Sequence, residues 1–124
     1  MTTLGDATST RSPPRGLPAR VARALLEFKR RLTESHGDRF EEMRLFGSYA
    51  RGEQHGDSDV DVLLLFRDRL GLREDLPVFD HVAAVDVAEQ VWLSPLIYSR
   101  AEYEERMAHE NDLVLDIQRD GILV

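Results

Sequence analysis

The heptapeptide VDVLLLF, residues 60–66, constrains the fold more than any other stretch of the chain. Only one acid, Asp61, interrupts an otherwise continuous apolar run, and acids stand at its entrance. A short Val/Leu-rich run of this kind reads as a central buried strand. Such a strand needs neighbours. Phe40–Phe46 alternates loosely and supplies a first strand; Val91–Tyr98 supplies a third. Pro95 cannot donate to a ladder, so the third strand is expected at an edge or at a bulge.

The remaining segments read as helices. Leu17, Val21, Leu25, Phe28 and Leu32 recur at steps of three and four, one face of a helix that His36-Gly37-Asp38 ends. RDRLGLRED, residues 67–75, reads as a connection, and Pro77 sits where a helix begins. Val78, Val82, Val85 and Ala88 continue that helix to about Gln90. Ser99-Arg100-Ala101-Glu102 is a capping-box pattern opening a short helix. Asn111 caps a last helix that Gly121 ends. The expected fold is α+β: a small three-stranded mixed sheet with helices packed mainly on one face. Residues 1–17, rich in Thr, Ser, Pro and Gly, read as a disordered tail, and 18–124 as the single domain of a 124-residue chain.

Composition excludes several classes. A net charge of −7 argues against holding nucleic acid by bulk electrostatics, which needs clustered Lys and Arg. The chain has no cysteine, so neither disulfides nor thiolate metal sites are open to it. No apolar run approaches the roughly 20 residues of a membrane span. Cytoplasmic residence is the expectation.

The chemistry concentrates in GSYARGEQHGDSDVD, residues 47–61. Side chains two apart on a strand share a face, so Asp59 and Asp61 point the same way with Cα atoms about 6.5–7 Å apart. Two carboxylates so spaced suit one Mg²⁺ or a pair, the usual clamp for displacement at a phosphoryl centre. Gly47 permits a sharp turn after the first strand, and a short helix opening at Ser48 would aim free backbone N–H groups at an anion. Asp57 falls before the strand and reads as a bystander. Arg51 stays open between a phosphate contact, an ion pair on its own short helix and a partner contact. An EF-hand loop is ruled out because its sixth position, which must be Gly, is Val62. No Walker-type loop or Gly-x-Ser-x-Gly elbow occurs.

Gly47-Ser48, ten residues, then Asp59-x-Asp61 resembles the signature of the DNA polymerase β-like nucleotidyltransferases. With Ala50, Arg51, Gly52, Ser58 and the apolar run after Asp61, it is most similar to the minimal nucleotidyltransferases. The resemblance implies transfer of a nucleoside monophosphate from an NTP to a hydroxyl, with two Mg²⁺ ions. It implies Asp59 and Asp61 as catalytic metal ligands, and Gly47, Ser48, Arg51 and Ser58 around the nucleotide. It further implies ATP as donor and pairing, as antitoxin, with a HEPN-type helical toxin whose hydroxyl accepts AMP. A third carboxylate is usual on a later strand. Here Ser94 or Trp92 falls at that position, while Asp86 and Glu89 just upstream are expected to face solvent. A binding-only antitoxin is the alternative reading.

Overall fold

A computed structural model describes residues 16–55 and 58–124. Asp57 and the greater part of the expected tail lie outside the described residues. Helix α1, Ala19–His36, buries Val21, Ala24, Leu25, Phe28 and Leu32, the stripe its periodicity marks. Gly37, at φ +57°, ends it, its N–H donating to Thr33 O, and a single 3₁₀ turn leads into β1, Phe40–Phe46. Next come a one-turn helix α2, Ser48–Arg51, then β2, Val60–Phe66, and α3, Leu72–Glu89. Strand β3, Leu93–Ser99, helices α4, Arg100–Ala108, and α5, Asp112–Asp120, and a short β4, Ile122–Leu123, complete the chain.

The sheet is mixed, in the order β3-β2-β1-β4. β2 lies antiparallel to β1 and parallel to β3, so α3 is the crossover between two parallel strands. β3 takes the edge, where Pro95, ladder partner of Val62, leaves no strand unpaired on its other side. The sheet has four strands, one more than the sequence suggests. Ile122 and Leu123 pair with Leu45 and Arg44. Two residues carry no readable period, and only the neighbouring strand makes them a strand.

Residues of β2 with even numbers, Val60, Val62, Leu64 and Phe66, pack with Met43 and Leu45 beneath the two long helices α1 and α3. This is the helix-covered face the sequence suggests. Leu63 and Leu65 point the other way, into a smaller cluster with Tyr103 of α4 and Val114 and Ile117 of α5. The run is therefore continuous because both its faces are covered. Asp61 shares the parity of Leu63 and Leu65 but lies nearer the strand's start, where that cover stops.

Helix α3 begins at Leu72, five residues before Pro77. Glu74 makes the difference: its Oε1 accepts from Gly71 N–H at 2.8 Å while Glu74 N–H donates to Gly71 O at 2.9 Å. Pro77 is accommodated inside the helix. The N-caps of α4 and α5 follow the sequence. Ser99 Oγ accepts from Glu102 N–H, Glu102 Oε1 accepts from Ser99 N–H, and Asn111 Oδ1 accepts from Val114 N–H. Among the described residues no helix is long and apolar enough to cross a membrane.

Candidate active site

The end of β1 and the start of β2 meet at the predicted motif. Phe46 is the ladder partner of Asp61, which brings the Gly47-Ser48 turn alongside the Asp61 side chain. Gly47 adopts φ +76°, a region other residues rarely enter. A β-carbon at this position would lie 3.2 Å from Asp61 Cγ and fall on Asp61 Oδ2. Glycine is thus required twice, by the backbone and by the carboxylate. Intrahelical bonding in α2 starts with the N–H groups of Ala50 and Arg51, which donate to Gly47 O at 3.1 and 3.2 Å. The N–H groups before them belong to the helix start, where intrahelical partners do not exist.

On the other side of Asp61 lies β3. Ser94 is the ladder partner of Asp61, and its hydroxyl favours the charged carboxylate. Of the two residues the sequence offers for the third-acid position, Ser94 holds it. Trp92 comes two residues earlier, just before the first ladder pair, Val60 with Leu93, and is 68 % exposed. Its carbonyl accepts from Val60 N–H at 2.8 Å, tying the entrances of β2 and β3 together. Asp59 precedes β2 and is exposed. Burial raises the pKa of Asp61, and the charge of Asp59 raises it further; Ser94 and the more distant Arg51 oppose them.

The other predicted residues are placed as follows. Ser58 Oγ accepts from His55 N–H at 2.9 Å and Ser58 N–H donates to His55 O at 2.9 Å, tying Ser58 to His55 just before Asp59. Arg51 is exposed and its Nε donates to Glu53 Oε1 at 2.8 Å, the ion-pair alternative among those the sequence leaves open. Such exposed pairs are worth little, so the guanidinium remains available to a stronger anion.

Asp86 corrects an expectation. It does not simply face solvent: it is half-buried in the last turn of α3, and its Oδ1 accepts from Leu93 N–H at 2.9 Å. Burial raises its pKa, the Leu93 bond lowers it and the charge of Asp59 adds a smaller rise. An acid in a helix's last turn opposes the helix dipole. That unfavourable placement was the one signal in the sequence. Glu89 pairs with Arg23 at 2.9 Å on the surface.

Among the described residues no group of three or more His, Cys, Asp or Glu side chains is placed to hold a metal ion. The donor set still suits magnesium, which takes one or two carboxylates and completes its shell from phosphates and water. Asp59 and Asp61 provide hard oxygen donors only. Burial first, and then their mutual repulsion, raises the pKa of Asp61, and such repulsion is the kind a cation relieves.

The nucleotidyltransferase domain family matches residues 25–119, which span β1, the Gly47-Ser48 turn, both acids and all of β3. The chain belongs to this family, within the polymerase β-like superfamily. This nucleotidyltransferase-domain chain is 31% identical over 80 residues to a Methanocaldococcus jannaschii protein named "Putative protein adenylyltransferase MJ0141", covering 64% of this chain and 81% of that one. Solved structures share the fold. One, "Structure of putative minimal nucleotidyltransferase", has TM-score 0.56 and 22% identity, covering 90% of this chain and 100% of the other. Another, "Crystal structure of the toxin-antitoxin with AMP-PNP", has TM-score 0.51 and 19% identity, covering 77% and 68%.

Proposed function

We propose that this nucleotidyltransferase-domain chain moves AMP from ATP to a hydroxyl of a partner protein, as the antitoxin of a minimal nucleotidyltransferase/HEPN pair. The observation that carries the reading is the contact between the Gly47 turn and the Asp61 carboxylate. A phosphate-binding turn and a metal-binding acid so close together can act on one triphosphate. The name of the methanogen relative, a protein adenylyltransferase, and that of the toxin–antitoxin structure with AMP-PNP support the donor and the partner.

In this reading Ser48 and the start of α2 bind the triphosphate, with Arg51 leaving Glu53 to join them, and Ser58, tied to His55, holds Asp59 at the mouth. Asp59 and Asp61 hold magnesium. When bound, the metal supplies charge neutralisation at the attacking and leaving oxygens. The acceptor oxygen bonds to the α-phosphorus, the bond to the bridging oxygen of the β-phosphate breaks, and pyrophosphate leaves. The hydroxyl proton passes to solvent, because Ser94 offers no base.

The test uses labelled ATP, Mg²⁺ and the product of the adjacent reading frame. Label transfer that Asp59→Asn and Asp61→Asn abolish is the expected result. Absence of transfer, with the double variant still neutralising the toxin, overturns it in favour of a binding-only antitoxin. Ser94 at the third-acid position is the observation on that second side.

A further inference from the structure

Helix α3 is apolar on two opposite faces. Val78 and Val85 face the core, while Leu76, Phe79, Ala83 and Val87 follow one another at steps of three and four on the outward face. Leu76, Phe79 and Val87 are 60 %, 50 % and 81 % exposed. A helix on the surface of a domain normally turns polar residues outward. Contiguous exposed apolar surface of this kind marks an interaction site. The stripe spans roughly 16 Å at 1.5 Å per residue. It runs on past Gln90 to Trp92, whose carbonyl accepts from the N–H of Val60, the residue after Asp59. The apolar surface therefore ends near Asp59, while Asp61 lies on the sheet face opposite α3.

We infer that the outward face of α3, with Trp92, docks the acceptor protein through an apolar helical surface bordered by Lys or Arg. The acceptor's identity rests on the function proposed above; the docking does not. Two observations select this occupant. The first is charge. On the helix circumference Asp75 borders the stripe on one side and Asp80 on the other, Asp86 being turned to Leu93 N–H, and Arg73 is the one Lys or Arg of the helix. In a two-fold antiparallel pairing of this chain each rim meets its own copy, so the exposed Asp80 would face the Asp80 carboxylate of the second copy. A basic border on a different protein answers them. The second is position. The phosphate turn lies on the β1 side of Asp61, and β3 lies on the other. In-line displacement brings the acceptor in opposite the leaving pyrophosphate. That side carries Ser94 and Trp92.

The test measures binding and transfer separately, using the full chain and the adjacent gene's product. Val87→Asp and Phe79→Asp alter exposed side chains, and circular dichroism verifies the fold; Leu113→Asp, an exposed leucine on α5, is the control. We expect both α3 variants to weaken binding about tenfold or more, as central apolar contacts do. The KM for the acceptor should rise and ATP affinity stay unchanged, with Leu113→Asp like wild type. Equal binding by wild type and α3 variants, or no binding by wild type, overturns the inference. So does a dimer of the chain alone that Val87→Asp dissociates, since a second copy would then own the stripe. Binding lost in Val87→Asp without any transfer by wild type leaves the docking surface standing and removes the enzymatic reading.

Discussion

Gly47 and Asp61 occupy one another's space: the carboxylate of Asp61 sits where a side chain at residue 47 would have to be. The turn that ends β1 and the acid that opens β2 are thus a single construction. Neither can be changed alone.

Gly47→Ala should accordingly damage both stability and ligand binding. The backbone at φ +76° disfavours any side chain, and the new methyl meets Asp61 Oδ2. A loss of about 1–3 kcal/mol is expected from such strain. Chemical denaturation gives the stability, and ATP–Mg²⁺ titration should show affinity lost in parallel. An Ala variant as stable as wild type would mean that Asp61 moves aside freely.

Ser94→Asp places a carboxylate opposite Asp61, at the facing ladder position of β3. A positioned base contributes on the order of 10²–10⁴-fold to proton transfer. Transfer to the acceptor should rise about 10²-fold, the lower end of that range. The third acid adds like charge, so the metal-free variant should melt below wild type and recover with Mg²⁺. Single-turnover rates and melting curves with and without Mg²⁺ check both outcomes.

His36 and His81 give a pH dependence unconnected with the acids. His36 lies edge-on to Phe66, 5.2 Å between ring centres, and both imidazoles meet Ser35 Oγ. Burial lowers both pKa values, and Arg39 and Arg31 respectively push them further down; Asp75 acts against this at His36, and Asp80 and Glu34 at His81. The unfolded chain therefore binds protons first as pH falls through 6.5, so stability drops with falling pH and levels off below the folded-state values. Melting temperature should fall between pH 7.5 and pH 5.5. The His36→Gln, His81→Gln double variant should show a smaller fall over that interval.

Ser99→Ala removes a buried cap. Ser99 terminates β3 and starts α4, and its hydroxyl accepts from Glu102 N–H at 3.1 Å. Losing a helix cap costs about 0.5–2 kcal/mol. The upper half is expected because the serine is buried and the helix covers Leu63 and Leu65. Urea denaturation measures it. Ser99→Thr should keep most of the stability, because it retains the accepting oxygen.

What the sequence determined by itself was local and periodic. The stripe of α1, the uninterrupted run of β2, the caps at Ser99 and Asn111, and the spacing from Gly47 to Asp61 are all patterns within one segment. What only the tertiary structure decided was pairing. Ile122 and Leu123 become a strand because Arg44 and Leu45 offer them a free edge. Ser94, rather than Trp92, meets Asp61 because the parallel register of β2 and β3 sets them opposite. Asp86 turns inward because the first N–H of β3 lies within its reach. Registers and hydrogen bonds between distant segments leave no period in a sequence, since they depend on where two chains stop sliding past each other. The same holds for the outward face of α3. Its Leu, Phe and Val read as further core residues until the sheet and α1 have taken the other side of the helix.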